Sequence, residues 1–181
     1  MAVFQSALAP FTLKGFYLIT WGTALGANVW NTISGFRTYK TLPRQTFGTL
    51  QSRLTPLYFT FSTLSTATLL LTHLYFHPGL ISSPRVEPHW ATSEAGHQGF
   101  LILAALIPQV LNLLVVGPWT SEVMFQRHRQ ERVESKEYDE AGVSEEMEKI
   151  NKKFSILHGI GSALNTVSFL GLAGLGLAVS M

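Results

Sequence analysis

Few residues in this 181-residue chain have the type and spacing to do chemistry. His73 and His77 stand four apart, so a helix would turn both imidazoles one way, where they could share a metal. His89 and His97 follow in the next connection, with Glu94 as a further candidate ligand. The signal is weak, since the spacing is common and neither an HExxH motif nor a cysteine accompanies it. Uncoordinated histidines near a membrane interface are the simpler reading. No Ser-His-Asp set, pair of carboxylates or phosphate-binding glycine loop can be defended. The lack of cysteine excludes disulfides, Cys-ligated zinc, iron–sulfur clusters and a cysteine nucleophile. The expectation is therefore no catalytic residue, no cofactor and no enzyme. A net charge of +2 is too small and too scattered to suggest a nucleic-acid partner.

What stands out instead is a set of polar groups inside apolar stretches. Asn28 and Asn31 lie one helical turn apart, as do Gln109 and Asn112 just after Pro108, which should kink its helix. His158, Gly161, Ser162, Asn165 and Ser168 fall on one helical stripe.

The elements that must carry these groups are membrane spans. Only 13% of residues are charged, and 16 of the 24 charged residues lie between Glu122 and Lys153. A soluble fold needs charge over most of its surface. Crossing the hydrocarbon takes about 20 mostly apolar residues. Four segments qualify, 15–36, 54–76, 99–119 and 156–179, and none contains Lys, Arg, Asp or Glu. The expected fold is an all-α four-helix transmembrane bundle forming one membrane domain. Between the third and fourth spans, residues 120–155 should form a polar helical hairpin: the third span continues outward, turns near Gly142, and a new helix starts at Ser144 with Glu145 and Glu146. No convincing internal repeat is present.

Eleven of the thirteen Lys and Arg fall in the first and third connections, leaving only Lys14 and Arg85 for the other side. The positive-inside rule then puts both basic loops in the cytosol and both termini outside or lumenal. A signal peptide built on Lys14 and a cleavage site at Ala24 to Ala27 would need an unusually long, weakly basic leader, so an N-out first span is preferred. An endomembrane or plasma-membrane location is expected, with a mitochondrial membrane as the alternative.

At about 1.5 Å per residue, Asn28 and Asn112 lie roughly 20 Å from the outer ends of their spans, and Ser62, Thr63 and Asn165 fall at a similar depth. The polar layer is thus Asn28, Asn31, Ser62, Thr63, Gln109, Asn112, His158 and Asn165, read first as interhelical hydrogen bonding and second as a polar pathway. Gly22 and Gly26 form a GxxxG pair, and Gly161, Gly171 and Gly174 suggest tight packing within the bundle. Pro56 is expected in the first turn of the second helix. Trp21 should be packed, while Trp90, Trp119, Tyr39 and Tyr75 suit the interfaces. Arg37, Lys40, Arg44 and Arg53 should anchor the first loop to the cytosolic surface, with lipid-headgroup or partner-acid binding as the functional alternative.

The stretch 21–59 resembles the transmembrane protein 205 family of small eukaryotic four-span proteins. The resemblance rests on Trp21-Gly22, Trp30, Ser34-Gly35-Phe36, Leu42-Pro43-Arg44, Phe47-Gly48, Gln51-Ser52-Arg53-Leu54, Pro56 and Tyr58-Phe59. His158-Gly159, Ser162 and Asn165 also match, and Asn112, Pro118, Thr120 and Met124 match more loosely. Gly117 departs, because an acidic residue is expected before that proline. The resemblance implies a multi-pass protein without established catalytic residues and, vaguely, a part in exporting or handling small compounds. Taken together, the sequence points to a non-enzymatic structural or accessory subunit, or a lipid-interacting component of a membrane assembly. Membrane lipids, other membrane subunits or self-association supply its partners. A small oligomeric export factor using the polar layer is the alternative.

Overall fold

A computed structural model describes residues 11–82 and 90–180. Helix α1 (Leu13–Thr41) starts where the Thr12 hydroxyl accepts from Gly15 N at 3.0 Å. A two-residue turn at Leu42 and Pro43 leads into α2 (Arg44–Phe76). Proline cannot continue the first helix, but its fixed φ suits the start of the next. Pro56 sits well inside α2, not in its first turn. The helix extends back to Arg44 because its first turns have a packing surface: a Cβ at Gly48 would lie 2.8 Å from both His128 Cε1 and Met124 Sδ.

After the single turn α3 (Gly79–Ser82), helix α4 (Glu94–Leu111) begins at Ser93, whose hydroxyl accepts from Gly96 N at 3.0 Å. The path from Glu94 to Glu134 is helical throughout, but Asn112–Val116 is a π-turn. Its cause is local. Pro108 and Pro118 each lack an N–H. The widened turn is closed by Gly117 N bonding back to Asn112 O. Gly117 fits this closure, since a Cβ there would lie 2.6 Å from Asn112 O. Helix α5 (Gly117–Glu134) stops at Ser135, in the left-handed region at φ 52°. The turn continues through Gly142 at φ 75°, whose carbonyl accepts from Lys136 Nζ at 2.8 Å. Ser144 then accepts from Met147 N at 3.1 Å and starts α6 (Glu145–Ser180).

No strand occurs among the described residues. Three helical stretches are long and apolar enough to cross a membrane: Arg44–Phe76, Glu94–Glu134 and Glu145–Ser180. The expectation of four is met by three on that measure. α1 has the length, at 29 residues, but its asparagines, threonines and glycines hold down its hydropathy.

The helices form a ring, with α1 on α2, α2 on α4, α4 on α6, and α6 back on α1. Tyr17, Ala24, Leu69, Ile102, Ala105, Leu172 and Leu175 make the apolar core, in the half remote from the hairpin. Leu57, Leu64 and Leu71, spaced by sevens on α2, point outward at 64% exposure or more, as a lipid-facing stripe would. Glycines on α6 let its neighbours in. A Cβ on Gly171 would lie 2.7 Å from Leu101 O and 3.0 Å from Ala105 N. Gly174 meets Leu101, and Gly161 meets Asn112 and Val116. Gly22 and Gly26 do not pack inside the bundle as expected: both are exposed, with no atom within 4 Å of an added Cβ. The helix turns its other face inward, through Tyr17, Ala24 and Asn28.

Candidate functional site

Two polar zones occupy the half of the bundle nearer the hairpin. The deeper one centres on Asn165 of α6. Its Oδ1 accepts from Tyr58 Oη at 2.8 Å and from Asn28 Nδ2 at 3.4 Å. One amide oxygen thus ties α6 to α1 and α2. Beside it, Gln109 Nε2 donates to Ser168 Oγ at 2.7 Å, and Asn112 Nδ2 donates to Gly161 O at 3.0 Å. The π-turn sets Asn112, because the extra backbone residue rotates the helix beyond it. Trp21, packed as expected, donates from Nε1 to Leu172 O at 2.8 Å across the close approach that Gly176 permits.

Asn28 and Asn165 therefore meet across helices, while Gln109 and Asn112 reach Ser168 and the Gly161 carbonyl on α6. Ser62 is on the same level and fully buried, but its Oγ has no hydrogen-bond partner among the described residues. The same holds for Thr63 Oγ1, Thr66 Oγ1 and Gln109 Oε1. Asn31 is half-buried and makes no cross-helix bond; its carbonyl accepts from Ser34 Oγ at 3.3 Å. His158 lies outside the layer, exposed, with its ring stacked on Phe154 at 5.7 Å. The α6 stripe is wider than the bundle interface, so its first residue falls on the outer side. Tyr58 was legible only through its spacing, since 58, 62 and 66 share one face of α2.

The second zone joins the loop end of α2 to the hairpin. Glu131 on α5 pairs with Arg44 Nη2. It also accepts from Gln45 Nε2 at 3.1 Å and from the backbone N of Tyr138 at 3.2 Å. The Arg44 guanidinium sits 3.5 Å from the Tyr138 ring centre. Arg44 is thus engaged by protein groups, and the hairpin folds back over it. Arg37 and Arg53 are exposed, and Lys40 lies over the Phe36 ring at 4.5 Å. Arg127, one turn before Glu131, lies over the rings of Tyr138 at 4.5 Å and Phe154 at 4.0 Å. Burial, then the Arg44 charge, lowers its proton affinity. His128 beside it is buried, and burial lowers its pKa while Glu131 works the other way. Glu134 is held below the usual carboxylate range by its hydrogen bonds with Ser144, and with Gln130 at 2.7 Å. The sequence clue to this zone was the spacing of Val123, Arg127 and Glu131, one buried stripe on a helix that looks uniformly polar.

The histidine pair does not read as a metal centre. His73 is buried, with Nε2 bonded to Ala95 O at 2.8 Å, while His77 is exposed at 4.7 Å between ring centres. His97 Nε2 contacts Ala91 O at 3.0 Å, and His89 falls outside the described residues. No group of three His, Asp or Glu able to hold a metal occurs among the described residues.

No solved structure matches the chain. The family described as "Domain of unknown function (DUF4149)" matches residues 19–129, from Ile19 in α1 through Arg129 in α5. That match takes in Asn28, Tyr58, Gln109 and Asn112, whereas Asn165 and the rest of α6 lie beyond it. With more than half of the chain matched, this helical protein belongs to the DUF4149 family.

Proposed function

We propose that the chain is a non-enzymatic four-span membrane protein, a structural or lipid-interacting component of a larger membrane assembly. In this reading α1 is the fourth span, the hairpin and the Leu42–Pro43 turn are cytosolic, and both ends are lumenal or outside. The asymmetry of Lys and Arg between the two sides supports this orientation. The resemblance to the transmembrane protein 205 family fits the same four-span reading. One observation carries the structural role: Asn165 Oδ1 accepts from both Asn28 and Tyr58. Asn28, Tyr58 and Asn165 are spent on one another, and such contacts hold helices together where apolar burial gives no preference.

The second reading is a small export factor that needs an oligomer to enclose a path. The unpartnered oxygens of Ser62, Thr63, Thr66 and Gln109 favour it, since polar atoms facing a path need no partner on a neighbouring helix.

The chain has no cysteine, so single-cysteine labelling separates the two. In native membranes, Asp139→Cys should react with an impermeant maleimide from the cytosolic face only, and Ser62→Cys should stay unreactive. Fast labelling of Ser62→Cys in a folded protein would overturn the structural reading in favour of a wet path. Asn165→Leu should lower folded yield and lose about 1–2 kcal/mol of stability in detergent, for two interhelical contacts.

A further inference from the structure

Arg127 is a buried cation without an ion pair among the described residues. Its side chain is 9% exposed, and it makes no hydrogen bond or ion pair with any described residue. Its Nε is fully buried without a partner, and so is Nη1 of Arg44. Both guanidiniums lie against the same tyrosine ring, so they are no farther apart than about 8 Å, the two ring distances laid end to end. One buried carboxylate, Glu131, serves the pair, and it is engaged by Arg44, Gln45 and the Tyr138 backbone. Asp139 is near enough for Arg127 to feel its charge, but it is exposed and not bonded to it.

A buried charge is normally paired, because desolvation without a partner is expensive. Contact with the rings of Tyr138 and Phe154, whose centres lie 4.5 and 4.0 Å from the guanidinium carbon, offsets part of that cost. It leaves the N–H groups without acceptors among the described residues, and the guanidinium fork is the geometry that grips a phosphate with two parallel bonds.

We propose that Arg127, seconded by Arg44, binds a phosphate-bearing anion at the hairpin end of the bundle. Phe154 stands two residues before the fourth apolar segment, so the site lies close to the membrane surface. A lipid phosphate group and a soluble phosphate ester both carry the required chemistry there. The amide donors nearby are committed, Gln45 Nε2 to Glu131 at 3.1 Å and Asn151 Nδ2 to Tyr138 O at 2.7 Å, which leaves the arginines as the donors for an anion.

The full chain in mild detergent provides the test, with three probes: phosphatidic acid, phosphatidylcholine and free glycerol phosphate. Thermal stability and lipid retention in native mass spectrometry are the readouts. Phosphatidic acid should be retained about tenfold more tightly than phosphatidylcholine and should raise the melting temperature. Arg127→Met, which keeps the apolar stem, should abolish that preference, whereas Arg132→Met, on the exposed side of α5, should keep it. If glycerol phosphate stabilises the protein as well as the lipid does, the ligand is the soluble ester; stabilisation by the lipid alone identifies a headgroup. Should neither probe stabilise the wild-type chain, or should a folded Arg127→Met retain phosphatidic acid undiminished, the proposal fails. The wild-type arm needs no variant, so misfolding of Arg127→Met cannot rescue it.

Discussion

The two ends of the bundle are held together by opposite chemistries. In the half remote from the hairpin, contact is made mainly by apolar side chains and by glycines, with single hydrogen bonds from Trp21 and His73 to backbone carbonyls. Leu172 and Leu175 pack with Leu69 and Ile102, while Gly171 brings α6 almost onto the backbone of α4. At the hairpin end, α2 and α5 meet through Arg44, Glu131 and Gln45, with Tyr138 and Phe154 laid against the guanidiniums. Lipid tails are as apolar as leucine, so greasy surfaces alone cannot tell a helix which neighbour to choose. Close shape fit solves that problem within the hydrocarbon. Near water, charge and hydrogen bonds can do it, since their geometry is specific and the medium screens the cost of unpaired states. The polar layer at Asn165 sits between these regimes and uses neutral amides and hydroxyls, which need partners but carry no charge to desolvate.

This contrast can be broken from either side. Glu131→Ala should have the largest effect. It removes the one buried carboxylate serving two guanidiniums, and about 3 kcal/mol should be lost. Partial exposure of Arg44 keeps the figure at the low end of what buried pairs cost. Chemical denaturation in detergent measures it, and Glu131→Gln should recover part of the loss by keeping an acceptor for Gln45 and Tyr138. A loss below half a kcal/mol would mean that charge does not hold this end. Gly171→Ala comes next, at about 2 kcal/mol, because the new methyl meets the α4 backbone instead of a movable side chain. Its melting temperature should fall while the Glu131 contacts at the other end persist. The smallest effect belongs to Gly22→Ala. Nothing lies within 4 Å of the added carbon, and alanine is the better helix former, so stability should hold or rise by up to about 1 kcal/mol. A marked loss there would mean that α1 packs against something outside this chain.

Much of the scaffold was legible because membrane segments announce themselves. The long apolar runs, the charge crowded between Glu122 and Lys153, and the helix start at Ser144, Glu145 and Glu146 all have direct counterparts in the helices. The meeting of Asn28 and Asn165 agrees with counting residues along the helix, since rise per residue is nearly constant. Which way each helix turns was not legible. Gly22 and Gly26 share the GxxxG spacing that suggests packing, yet α1 faces the bundle with Tyr17, Ala24 and Asn28. In lipid the outer face is as apolar as the inner one, so the pattern that reveals the buried side of a soluble helix is largely erased.

The sequence by itself determined the helices, the apolar character of most of their surface, and the position of Asn28 and Asn165 along their helices. These depend on local composition and a fixed helical rise. Only the tertiary structure decided the partners: Tyr58 with Asn165, Glu131 with Arg44, and Arg127 over Tyr138 and Phe154 with no carboxylate of its own. Those pairings depend on helix rotation and on a turn that returns α6 to the bundle. They join residues up to 107 positions apart, and no local spacing encodes such a meeting.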